Sequence, residues 1–325
     1  MTRQTFMTAA FAAILAAALP SCNKDDVIDG PDESENGIFR PATSQSSPYC
    51  DRVFEWTPAP GQFINDFTPE TLSEPVTDPS EAARLALGRL DAGQFVSLGA
   101  FGGYIVVGFD HSITSSAGDY DFAVAANAFL NAGTGAGGSN EPGIVYVMQD
   151  SNGNGLPDDV WYELKGSDTS DGATVRDYAV TYVRPDAPGR NVSWTDNRGA
   201  EGTVDYLAPF HKQDYYYPCW VKADSYTLSG TCLKARTSLD DATGYWNNAP
   251  FGWGYADNMG ADNFTTDRFG QCNRFRISDA IDADGNPALL TFADFVRIQT
   301  GVNAKSGILG EVSTEVFGVF DLHLN

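Results

Sequence analysis

Along most of the chain, β-branched and aromatic residues alternate with polar ones in short runs. Clusters of Gly, Asp, Asn and Pro break these runs, and 33 glycines supply many of the breaks. Such a period of two predicts half-buried strands. They fall at 95–98, 104–109, 122–125, 144–148, 160–164, 178–183, 192–195, 226–228, 231–234, 274–277, 292–299 and 316–322. One segment follows a helical period instead. Asp78-Pro79-Ser80-Glu81 supplies an N-cap, a proline at the first helical position and an acid in the first turn. Ala82, Leu85, Ala86 and Leu90 form one apolar stripe, and Gly93 stops it. The pattern predicts an all-β fold, a β-sandwich over residues 49–325 with one short N-terminal helix. A jelly roll is one topology such a strand series can take. No repeat of fixed period is visible, which argues against a propeller.

The longest apolar run stands apart from the strands. Residues 6–19 are alanine-rich and uncharged, and Arg3 precedes them. A run of 14 residues falls short of the roughly 20 a spanning helix needs, but it has the length of a signal-peptide core. It ends Leu19-Pro20-Ser21-Cys22. A leucine three before a cysteine, with a small residue between, resembles the lipobox of bacterial lipoproteins. The resemblance implies a leader over residues 1–21 and lipidation of Cys22, which becomes the new N-terminus. Residues 22–48 are rich in Asp, Glu, Ser, Pro and Asn, too polar to bury a core. They read as an acidic, disordered tether. The lysine and acids just after Cys22 also resemble the surface-export signal of Bacteroidetes lipoproteins.

Charge narrows the partners. The chain carries 20 basic and 43 acidic residues, a net charge of −23. Such a field disfavours nucleic acid and anionic lipid and suits calcium. Cys50, Cys219, Cys232 and Cys272 in an oxidising compartment suggest two disulfides. Three connectivities are open, with Cys219–Cys232 and Cys50–Cys272 favoured as one local and one distant pair. No CxxC pair occurs to hold zinc.

The sharpest motif is Asp150-Ser151-Asn152-Gly153-Asn154-Gly155-Leu156-Pro157-Asp158-Asp159. Oxygens at loop positions one, three and five converge, glycine at six allows the turn, the seventh carbonyl adds a ligand and an acid at nine another. The expected metal is Ca2+, held by Asp150, Asn152, Asn154, the Leu156 carbonyl and Asp158. Trp161 stands where an EF-hand has its glutamate, and the loop is similar to those of thrombospondin type 3 repeats. Asp282-Ala283-Asp284-Gly285-Asn286 is a second acidic turn with fewer ligands. Asp119, Asp121, and Asp257 beside Asn258, are weaker candidates.

Two aromatic segments suggest a ligand surface. One holds Tyr215, Tyr216, Tyr217 and Trp220, the other Trp246, Trp253 and Tyr255, edged by Asn247, Asn248, Asp257 and Asn258. Aromatics on loops beside amides and acids suit stacking on a sugar ring. The same residues would equally fill the ends of a sandwich core. The three histidines, His111, His211 and His323, show no paired spacing, and no GxSxG elbow occurs. No catalytic residue is assigned.

Longer stretches carry a family likeness. Val96-Ser97-Leu98-Gly99, Gly102-Gly103-Tyr104-Ile105-Val106-Val107-Gly108-Phe109-Asp110, Tyr120-Asp121-Phe122 and Asn127-Ala128-Phe129 begin it. Glu141-Pro142-Gly143-Ile144-Val145-Tyr146-Val147, the 150–159 loop and Trp161-Tyr162-Glu163-Leu164-Lys165-Gly166 continue it. Trp253-Gly254-Tyr255-Ala256-Asp257-Asn258 and Gly310-Glu311-Val312-Ser313-Thr314-Glu315-Val316 close it. Over residues 53–322 these resemble Bacteroidetes cell-surface lipoproteins described as cell-surface or PKD-like proteins. The resemblance implies a secreted β-sandwich used in nutrient capture at the outer membrane. The expected function is non-catalytic binding of a glycan, stabilised by calcium, with an outer-membrane transporter as a further partner. Corrinoid binding, surface hydrolysis and a purely structural or adhesive role are the alternatives.

Overall fold

The computed structural model describes residues 38–65, 76–131 and 138–324. The leader, Cys22 and the acidic stretch through residue 37 lie outside the described residues. The fold is mostly β, built from antiparallel sheets with one α-helix.

The largest sheet has six strands in the order β1 (Arg52–Thr57), β3 (Tyr104–Thr114), β16 (Phe292–Thr300), β5 (Gly143–Met148), β6 (Trp161–Leu164) and β15 (Ala280–Ile281). The late strand β16 is inserted at its centre. In register, Val296 faces both Val107 and Val147, and Ile298 faces both Ile105 and Val145. These rows point to one face and form the main core. The opposing layer has four strands, β13 (Asn263–Thr266), β14 (Gly270–Phe275), β4 (Phe122–Ala125) and β18 (Gly318–Asp321). A two-stranded ribbon of β2 (Val96–Ser97) and β17 (Glu315–Val316) continues it. Phe122, Val124, Phe275, Val319, Val96 and Val316 meet the first sheet in that core, which makes a β-sandwich. Helix α1 (Pro79–Asp91) lays Ala82, Ala86 and Leu90 on its end, with the Asp78 carboxylate accepting from the Ser80 amide as N-cap.

The other face of the large sheet carries Tyr104, Tyr146, Arg297 and Gln299 and is covered by a second unit. That unit is the sheet β10 (Ser225–Cys232), β7 (Val175–Val183), β8 (Val192–Asp196) and β9 (Glu201–Val204). Tyr178, Val180, Tyr182, Val192 and Leu228 give it its own core. Gln299 ties the units by donating to the Gly102 and Ser229 carbonyls at 2.8 and 3.0 Å. A hairpin, β11 (Thr237–Asp240) with β12 (Tyr245–Asn248), completes the fold.

Most expected strands are present, with adjusted bounds. The runs at 226–228 and 231–234 form one strand, β10, whose register shifts between Gly230 and Cys232. The run at 316–322 is divided between β17 and β18, which pair with different partners. Two expectations are corrected. The tether does not extend to residue 48, because the chain docks from Ile38 onward. Phe39 packs edge-on to Phe292 at 5.2 Å, and Arg40 reaches the buried Asp294. The disulfides are absent too: Cys50, Cys219, Cys232 and Cys272 are all free thiols. Cys219 packs against the main core and bonds the Val76 carbonyl, whereas Cys232 packs in the second core. Cys50 lies inside the sandwich, and Cys272 packs with Ala123, Ala125 and Phe320 in another cluster. Burial pushes the Cys50 thiol up to about 12 and those of Cys232 and Cys272 to about 11, which keeps them unreactive.

Candidate functional site

The most concentrated chemistry lies beside the β2–β17 ribbon. The run leading into β17 is extended, so alternate side chains share a side. Val312 and Val316 enter cores, while Glu311, Ser313 and Glu315 line a cavity of about 290 Å³. Glu141, just before β5, lines it as well, with the amides Gln62 and Asn248. Phe210, Ile308 and Leu309 form its apolar rim and are 62%, 68% and 56% exposed.

Behind the cavity lies Asp257, wholly buried. It is the one non-glycine with positive φ among the described residues, at 53°. Its Oδ2 accepts from the Glu315 amide at 3.0 Å, and its carbonyl accepts from the Glu141 amide at 2.9 Å. Asn258 fixes the turn: its side-chain oxygen accepts from the Phe251 amide, and its Nδ2 donates to the Phe251 carbonyl. Burial and then the neighbouring carboxylates raise Glu141 and Asp257 well above the ordinary acidic range. Burial, with repulsion from Glu311, lifts Glu315 to about 7, and burial lifts Glu311 itself to about 7. Such groups accept hydrogen bonds from hydroxyls, hold a cation, or carry an exchangeable proton near neutrality.

The expected aromatic wall does not form. Tyr216 and Tyr217 are fully buried in the second core. The Tyr216 hydroxyl accepts from the Leu207 amide, and the Tyr217 hydroxyl donates to the Ala223 carbonyl. Trp220 is buried in the main core against Trp56, with ring centroids 4.8 Å apart. Tyr255 is buried in a third cluster, its hydroxyl accepting from the Asp168 amide. Because each hydroxyl finds a partner, burial costs these tyrosines little. Tyr215 and Trp246 are half-buried. Trp253, 38% exposed, lines a separate cavity of about 190 Å³ with Tyr120, Arg274 and Arg276. Asp257 and Asn258 are buried rather than exposed at a wall's edge. Both segments nevertheless reach the acidic cavity, one through His211 beside Phe210 and the other through Asn248.

The 150–159 loop is a tight cluster of oxygens at the far end of β5. Asp150, 2% exposed, accepts from the Asn154 and Gly155 amides, and Asn152 from the Asn154 amide. Asn154 accepts from the Leu156 amide. The side-chain amides of Asn152 and Asn154 donate to the Asp158 carboxylate and hold it below the usual range. The Leu156 carbonyl accepts from the Asp158 amide. Hydrogen bonds thus join the residues expected for calcium within one loop, with the side-chain nitrogens of Asn152 and Asn154 turned toward Asp158. Asp282 accepts from the Asp284 and Asn286 amides as an ordinary turn. Asp121 is buried and pins the Ser116 and Ile277 amides. His111 is buried between Asp110 and Asp321 at 2.7 and 3.0 Å, a structural placement.

Compared with models of known protein families and with curated proteins, the chain matches none. The residues that sequence reasoning left unassigned are Glu141, Glu311, Ser313 and Glu315. The signal that could have found the last three is an acid, a serine and an acid at every second position, alternating with Val312, Thr314 and Val316.

Proposed function

We propose that the protein is a surface-exposed, lipid-anchored binding protein, stabilised by calcium at the 150–159 loop, that captures a hydroxyl-rich ligand of glycan type. The ligand site is the Glu141–Glu311–Glu315 cavity, in place of the aromatic wall. The observation that carries this reading is the wall itself: carboxylates and amides sit inside, and Phe210, Ile308 and Leu309 stand exposed around the mouth. Carboxylates and amides orient sugar hydroxyls, and an exposed ring stacks on the apolar face of a pyranose. The volume is near the lower end for small-molecule sites, roughly 300 Å³, which suits one or two sugar units.

Calorimetry against a panel of oligosaccharides and corrinoids tests the reading. At least one oligosaccharide is expected to bind, and Phe210→Ala is expected to weaken it by about tenfold or more while leaving the melting temperature nearly unchanged, since an exposed ring contributes little to the fold. Binding of corrinoids alone, or of nothing in the panel, refutes it. Hydrolysis is the second reading, favoured by Glu311 and Glu315 at about 7, where a carboxyl can serve as a general acid. Release of reducing ends from a bound oligosaccharide would select it.

The anchor is tested separately. Cys22→Ala is expected to move the protein from the membrane fraction to the soluble fraction. Among the described residues no helix is long and apolar enough to cross a membrane. A wild-type mature form found soluble and unmodified would refute lipidation.

A further inference from the structure

Three carboxylates meet at the inner end of the cavity. Glu141, Asp257 and Glu315 each offer an oxygen, and these oxygens all lie within 4.8 Å of one another. Ligands on opposite sides of a calcium ion are separated by twice the Ca–O distance, about 4.8 Å, so the three oxygens fit inside one coordination sphere. Among the described residues no lysine or arginine forms an ion pair with any of them, or with Glu311. A buried group of like charges with no counter-ion is costly.

A fourth carboxylate faces the same cavity. Glu311 is only 5% exposed. Its Oε1 accepts from the Gln62 amide at 2.7 Å, while its Oε2 is buried without any partner. A buried oxygen left unpartnered is rare in native proteins and calls for a ligand. Glu311 lines the same cavity as Glu141 and Glu315, and its charge bears on both.

We propose that Glu141, Asp257 and Glu315 form a calcium-binding site at the inner end of the cavity, with Glu311 adding negative charge from the cavity wall. The donors are hard oxygens without imidazole or thiolate, which selects calcium or magnesium over transition metals. Magnesium requires opposite ligands only about 4.2 Å apart in a rigid octahedron. The adjoining cavity, which leaves room for the further oxygen ligands that calcium takes, favours calcium. This site is distinct from the 150–159 loop. Glu141 precedes β5 and Asp150 follows it, so the two sites sit beyond opposite ends of that strand, which is itself about 20 Å long. The proposal does not depend on which molecule fills the cavity.

The test uses calcium alone on the mature chain carrying Asp158→Ala, which removes a donor of the loop and lies outside the acidic cluster. Calorimetry is expected to show one calcium bound per chain, with magnesium binding more weakly. Adding Glu315→Gln, or Asp257→Asn, is expected to lower calcium affinity by about tenfold or more, because each removes a negative ligand. A buried substitution can also disturb folding, so crystals of the unsubstituted chain soaked in calcium chloride decide the location by anomalous scattering. A peak bonded to Glu141, Asp257 and Glu315 supports the site. A peak at the loop alone, or none, overturns it.

Discussion

Asp294→Ala is expected to destabilise the protein by about 3–5 kcal/mol, measured by urea unfolding. Asp294 is wholly buried in β16. Its Oδ1 accepts from the Arg40 guanidinium at 3.0 Å and from the Ser112 hydroxyl at 2.6 Å, and its Oδ2 accepts from the Asp150 amide at 2.8 Å. Removing the carboxylate strands a partly buried guanidinium and two buried donors. Breaking one side of a buried ion pair costs about that much. The same carboxylate fastens two outer segments, the docked stretch around Arg40 and the start of the 150–159 loop. Chymotrypsin should therefore cut after Phe39 faster in the variant than in the wild type. Asp294→Asn keeps the size and one acceptor, and should lose less. A loss under about 1 kcal/mol for the alanine variant would show that the network is not what holds these segments.

The role of Arg40 was hidden in the sequence by its neighbours. Residues 22–48 have the polar composition of a tether, and composition averages over a segment. It does not register that Phe39 and Arg40 help to dock residues 38–48, one through an aromatic contact and one through a buried acid 254 positions away. By contrast, α1 was fully legible, since Asp78, Pro79 and the Ala82–Leu90 stripe are local signals. Strands with strong alternation, such as β7 and β8, were legible for the same reason. Their order was not. The insertion of β16 between β3 and β5 is decided by non-local pairing, which local periodicity does not encode. Short polar strands such as β11 and β13 also escaped, because their residues carry little apolar contrast. The favoured cysteine pairs followed from compartment and spacing alone, whereas the fold sends Cys219 and Cys232 into different cores.

The acidic site shows the same division. Asp257 and Asn258 were noticed as polar residues beside aromatics, but their neighbours were misread. Glu311, Ser313 and Glu315 present one side of an extended run, a local pattern that alternation could have revealed. Glu141 joins them only because the chain ahead of β5 runs beside the Asp257 turn, through the bond from the Glu141 amide to the Asp257 carbonyl. No local pattern places residue 141 next to residue 257.

Trp220→Ala is expected to cost about 3–5 kcal/mol of stability, the usual loss for a buried tryptophan. Trp220 is 3% exposed and packs on Trp56 in the main core. Its removal would leave a cavity in that core that rigid strands cannot close. Trp253→Ala, at 38% exposure, should stay within about 0.5 kcal/mol of the wild type. The pair separates two roles for aromatic residues that the sequence presents alike. If the aromatic segments served as a recognition wall, both variants would keep their stability and lose ligand. If they serve as packing, the Trp220 variant unfolds early while its folded fraction binds with unchanged affinity, because the ligand cavity is built from Glu141, Glu311 and Glu315 instead. Melting curves and calorimetry on the same samples distinguish these outcomes. A Trp220→Ala protein with wild-type stability and no ligand binding would return the site to the aromatic segments.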